Sequence, residues 1–140
     1  MRLDPRFRLA LYAAFASLFS TGAGWLAADR MMRHSSSSVE AWQTASATLL
    51  MLHGGVAMAT LMLLGALFPL HMQRSWRSGR NRPTAAAMVA FNGTLVVTSF
   101  GLYYAGSETI RPWMSDMHTG LGLLLPVLVL VHVTVGRRGF

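Results

Sequence analysis

Met114–Arg138 reads MSDMHTGLGLLLPVLVLVHVTVGRR. From Met117 to Gly136 it has no acid, lysine or arginine, enough apolar chain to cross a membrane as a helix. It nevertheless holds His118 near its start and His132 near its end. At 1.5 Å and 100° per residue, the fourteen steps between them turn about 1400°, roughly 40° short of whole turns, and rise about 21 Å. Both imidazoles therefore share one side of one helix, near opposite edges of a hydrocarbon layer about 30 Å thick. An ionisable side chain inside a span is costly and usually has a role.

Thr44–Met72 repeats the arrangement with His53 and His71, eighteen residues apart. Eighteen residues make five whole turns, about 27 Å along the axis. This segment is longer than a span needs, so it tilts or leaves the bilayer at one end. Leu9–Ala28 and Thr84–Gly106 are the other apolar segments. The fold expected is all-α: an integral membrane four-helix bundle in one domain, 1–140, with spans near 9–28, 44–72, 84–106 and 114–136. A basic start, an apolar core and Leu26-Ala27-Ala28 also fit a secretory signal. The reading adopted is a retained first span.

Composition agrees. The chain is 53% apolar and 12% charged, against about 25% charged in soluble domains. It has no cysteine, which excludes disulfides, thiolate metal sites, iron–sulfur clusters and covalently attached haem. Its +7 charge comes from twelve arginines without lysine, all outside the apolar runs. That favours a membrane surface over nucleic acid as the partner. The five acids, Asp4, Asp29, Glu40, Glu108 and Asp116, lie outside or at the edge of the spans. A proton-coupled transporter would want one inside. No hydrolytic constellation or phosphate loop is present in the sequence.

The connections are a polar loop, Asp29–Glu40, a basic loop, Gln73–Pro83, and a short loop, Ser107–Ser115. Ser38 and Glu40 mark a helix start, and Trp42 suits an interfacial anchor. Pro69 follows Gly65 by four residues and Pro126 follows Gly122 by four, so a bend is expected near each. The N-terminus, the basic loop and the C-terminus carry three, four and two arginines. Both termini are therefore expected to be cytoplasmic.

A repeat runs through the chain. Thr21-x-x-Gly24 closes the first span and Thr98-x-x-Gly101 the third; His53-Gly-Gly55 opens the second and His118-Thr-Gly120 the fourth. Two helical hairpins related by a pseudo-two-fold axis along the membrane normal would give this pattern.

Two histidines on facing helices are a standard way to hold a b-type haem. The expected cofactors are two haem b groups, an outer one on His53 and His118 and an inner one on His71 and His132. The second ring nitrogen of each ligand needs an acceptor, assigned here to Thr119, Thr134 or helix carbonyls. Gly22, Gly24 and Gly101 at the outer depth, and Ala13, Ala14 and Gly93 at the inner, leave room for the macrocycles. Arg74, Arg137 and Arg138 are candidates for the inner propionates, and Arg30, Arg111 and Ser115 for the outer. Each arginine also serves topology and lipid headgroups. His34 reads as interfacial. The methionines read as packing rather than copper ligands, with Met117 or Met72 in reserve as axial ligands.

On these positions the chain resembles the small four-helix dihaem cytochromes b of bacterial membranes. It is similar to the haem-binding core of cytochrome b in quinol:cytochrome c oxidoreductases. His118-x13-His132 has that family's fourteen-residue spacing, and Gly24 and Gly101 stand where it has glycines. His53-x17-His71 departs from it by four residues, about one turn. The resemblance implies electron transfer across a bacterial inner membrane. A redox partner protein or quinone would exchange the electrons, with the chain as a subunit of a larger respiratory complex. The alternative class is a structural membrane anchor or assembly subunit whose histidines serve packing.

Overall fold

The computed structural model describes residues 4–34, 38–69 and 82–138, with side chains as far as Gly136. Regular structure among them is all helical: α1 Pro5–His34, α2 Val39–Leu67, α3 Arg82–Tyr104 and α4 Ile110–Arg138. All four are long and apolar enough to cross a membrane. α1, at 30 residues, measures about 45 Å, more than the hydrocarbon layer needs.

The helix starts are chemically marked. The Asp4 carboxylate accepts the amides of Arg6 at 2.9 Å and Phe7 at 3.3 Å, and Pro5 takes the first helical position, where a missing N–H costs nothing. Ser107 does the same for α4: its hydroxyl accepts the Ile110 amide at 3.3 Å and its carbonyl the Arg111 amide at 3.1 Å. Pro112 falls within the first turn, where proline is tolerated. Asp4→Ala is expected to cost about 1 kcal/mol at this terminus. Faster hydrogen exchange at the Arg6 and Phe7 amides, with α2 unchanged, is the measurement.

Two expectations are corrected. The polar loop does not begin at Asp29, because α1 continues to His34. Arg33 donates to Asp29 one turn back, at 2.9 Å from Nε and 3.3 Å from Nη2. A pair at this spacing supports a helix, and the cation suits a C-terminal turn. The short loop ends at Thr109 rather than Ser115, since α4 begins at Ile110. The α-helical part of α2 ends at Leu67, and Phe68 and Pro69 form a wider, π-type turn. The Phe68 amide is shared between the carbonyls of Leu64 and Gly65, the latter being the one that Pro69 has no N–H to serve. α4, by contrast, runs unbroken through Pro126.

α1 packs along α2, and α3 along α4, giving two hairpins, each compact by itself. The buried residues are few: Leu11, Ala28 and Thr60 in the first hairpin, Thr98 and Leu125 in the second. Thr60 and Leu125 each lie seven residues, about two turns, beyond His53 and His118. Large apolar side chains such as Met51, Met62, Phe100 and Leu130 are exposed. Lipid is a good solvent for such faces, so a membrane hairpin needs close backbones and polar cross-links rather than a thick apolar core.

Candidate functional site

In the first hairpin, His53 reaches across to α1. Its Nδ1 lies 3.0 Å from the Thr21 hydroxyl. Thr21 also donates to its own helix, to the Ser17 carbonyl at 2.7 Å, with the Leu18 carbonyl at 3.1 Å. The adjacent Gly22 lets the ring approach: a Cβ there would sit 3.1 Å from His53 Cε1. One turn away a Cβ on Gly24 would meet Leu49 at 3.5 Å.

The second hairpin has the same construction. His118 Nδ1 lies 3.0 Å from the Thr98 hydroxyl. Thr98 donates to the Thr94 carbonyl at 2.8 Å, with the Leu95 carbonyl at 3.1 Å. Three residues beyond the threonine is Gly101, and four before the histidine is Met114. A Cβ on Gly101 would come within 2.7 Å of the Met114 sulfur. In both hairpins, then, a threonine faces a histidine, and a glycine faces a long side chain at the next turn. The register is the same in both.

A further contact belongs to the second hairpin alone among the described residues. His132 Nδ1 lies 3.1 Å from the Thr84 hydroxyl near the start of α3. Fourteen residues before Thr21, and fourteen after His53, the first hairpin has Phe7 and Leu67 instead. Among the described residues, the shared construction is therefore the Thr21–His53 and Thr98–His118 contacts with their neighbouring glycines. His71 and Arg74 lie outside the described residues, as does Met72. Arg137 forms part of the last turn of α4, and its side chain is also outside them.

The hydroxyls that meet the histidines are not Thr119 or Thr134. Thr134 donates to the Val131 carbonyl at 3.0 Å in its own helix, and the histidines use Thr21, Thr98 and Thr84 on the neighbouring helix. The sequence shows Thr21 and Thr98 as repeat landmarks; Thr84 is missed because no counterpart repeats it. The glycines expected at haem depth have these neighbours. Gly22 seats the His53 ring, while Gly24 and Gly101 seat Leu49 and Met114. Only Gly93 of the group has nothing within 4 Å of an added Cβ. Arg30 and Arg111 are exposed, Ser115 is half-buried, and Met117 is 48% exposed.

Among the described residues, no three His, Asp or Glu side chains gather as ligands for a bare metal ion. A haem asks for less, because its macrocycle supplies four donors and the protein only the axial ones. An imidazole held at one nitrogen by a hydroxyl is the donor such a group takes, so His53, His118 and His132 fit it chemically. Comparison with family models, curated proteins and solved structures finds no match for this chain.

Proposed function

We propose that the chain is a membrane electron carrier of the b-type cytochrome kind. His53 and His118 would hold an outer haem b, and His71 and His132 an inner one. The observation that carries this reading is the recurrence of one mount in both hairpins: Nδ1 on a threonine of the preceding helix, at 3.0 Å each time. A histidine kept for packing in an apolar layer would also need a hydrogen-bond partner, but it would not need one fixed ring nitrogen. A ligand to haem does, since its ring must hold one orientation, and the same nitrogen, Nδ1, is the one held in both hairpins.

A bound haem supplies one-electron chemistry at its iron; the residues here orient the ligands and keep them dry. Arg74 and Arg137 would be charged donors for the propionates of the inner haem, and Arg111 for those of the outer one. The assembly we propose is a four-helix bundle in a bacterial inner membrane, its hairpins related by a pseudo-two-fold axis and both termini cytoplasmic. Electrons arrive from and leave to a redox partner protein or a membrane quinone.

The test is an optical spectrum of the purified chain before and after dithionite, with a haem-to-protein ratio. Sharp b-type bands and a ratio of about two are expected. Absorbance confined to the tryptophan region would leave a structural membrane anchor as the reading.

A further inference from the structure

We propose that Thr21 and Thr98 are positioning residues that fix the tautomers of His53 and His118 and so select Nε2 as the coordinating nitrogen. The functional meaning rests on the haem reading above; the tautomer itself rests on hydrogen-bond arithmetic alone.

A threonine hydroxyl has one proton and two lone pairs. Thr21 spends that proton on the Ser17 carbonyl at 2.7 Å, with Leu18 the nearest alternative at 3.1 Å. At its 3.0 Å contact with His53, Oγ1 must then accept, and Nδ1 must carry hydrogen. Thr98 is committed in the same way, to Thr94 at 2.8 Å and Leu95 at 3.1 Å, so His118 also carries its proton on Nδ1. A neutral imidazole has one N–H and one lone pair. The lone pair is therefore on Nε2 in both rings. The opposite tautomer would set two lone pairs against each other at a hydroxyl that, in Thr98, is shut away from solvent. His132 is left out because the carbonyl four residues before Thr84 belongs to Arg80, outside the described residues.

An acceptor on the outer N–H makes an imidazole a stronger donor to its metal. It favours oxidised iron, and removing it raises the reduction potential. Valine keeps the shape of threonine without the oxygen; serine keeps the oxygen.

The experiment uses the whole chain in lipid nanodiscs, kept reduced, as wild type and as Thr21→Val, Thr98→Val, Thr21→Ser and Thr98→Ser. Nitrogen-15 NMR of labelled histidine reads the tautomers, and a redox titration reads any haem. The expected result is Nδ1–H at His53 and His118 in the wild type and serine variants, with the matching signal altered in each valine variant. The oxidised-to-reduced ratio of the outer haem at a fixed potential should fall about tenfold in the valine variants, roughly 59 mV for one electron. Protonation of Nε2 in the wild type overturns the proposal, and this reading stands even where a valine variant fails to fold. Bound haem with the same potential and the same Nδ1–H in the valine variants overturns it too, while leaving the haem assignment intact. Haem-free protein whose His53 signal changes only with Thr21→Val supports the tautomer lock and defeats the haem assignment.

Discussion

Replacing His118 with alanine is expected to lower the haem-to-protein ratio from about two to about one, and His53→Ala to remove the same haem. If both rings hold one haem, as proposed, the double variant should lose no more than either single one. This non-additivity separates a shared ligand pair from two independent binding residues. The loss should not come from unfolding. Once His118 is gone, Thr98 still donates to the Thr94 carbonyl, so no hydroxyl proton is stranded in the apolar layer. Pigment quantification on detergent-purified variants, with circular dichroism to confirm the helices, is the check. A His53→Ala, His118→Ala double variant with a full complement of haem would refute the assignment.

Gly22→Ile is expected to be nearly as damaging, through the His53 ring that packs against residue 22. Its Cβ alone would stand 3.1 Å from His53 Cε1 and 3.4 Å from Nδ1, and a branched side chain adds carbons where the ring lies. The ring must leave Thr21. The outer haem should go with it, and overpacking should cost about 1–3 kcal/mol of hairpin stability. Gly22→Ala asks the ring to yield only a few tenths of an ångström and should be far milder. Gly93→Ala is the control for hairpin stability: nothing in the protein lies within 4 Å of its new Cβ, alanine gains about 1 kcal/mol of helix preference over glycine, and any haem it loses should be the inner one. Thermal unfolding together with haem content distinguishes the three. Full haem in Gly22→Ile would mean that the ring is not held where Gly22 makes room for it.

The four helices were legible in the sequence because the membrane sets a minimum length of apolar chain, and each segment meets it. Their ends were less so. Hydropathy stops at Ala28, but the helix continues because Asp29 and Arg33 face each other one turn apart, a signal of spacing rather than polarity. Asp4 and Ser107 are ordinary capping residues hidden in stretches that read only as basic or polar. At the site, the histidine phase and the threonine–glycine repeat were readable. The pairing of the two was not, since nothing in one helix's periodicity says which residue of its neighbour it meets. Gly101 shows the same limit. A glycine in a span marks a place of close approach, and only the packed hairpin reveals that Met114 is what lies against it.

The outer-level anchors join helices that are consecutive in the chain. α1 and α2 are synthesised before α3 and α4, and the parts of a growing chain fold in chain order. The Thr21–His53 clasp can thus form before the second hairpin is complete. The second clasp needs nothing from the first. Each hairpin then carries its own clasp, and if the chain takes up haem as proposed, a lag in its supply would leave each hairpin intact while it waits.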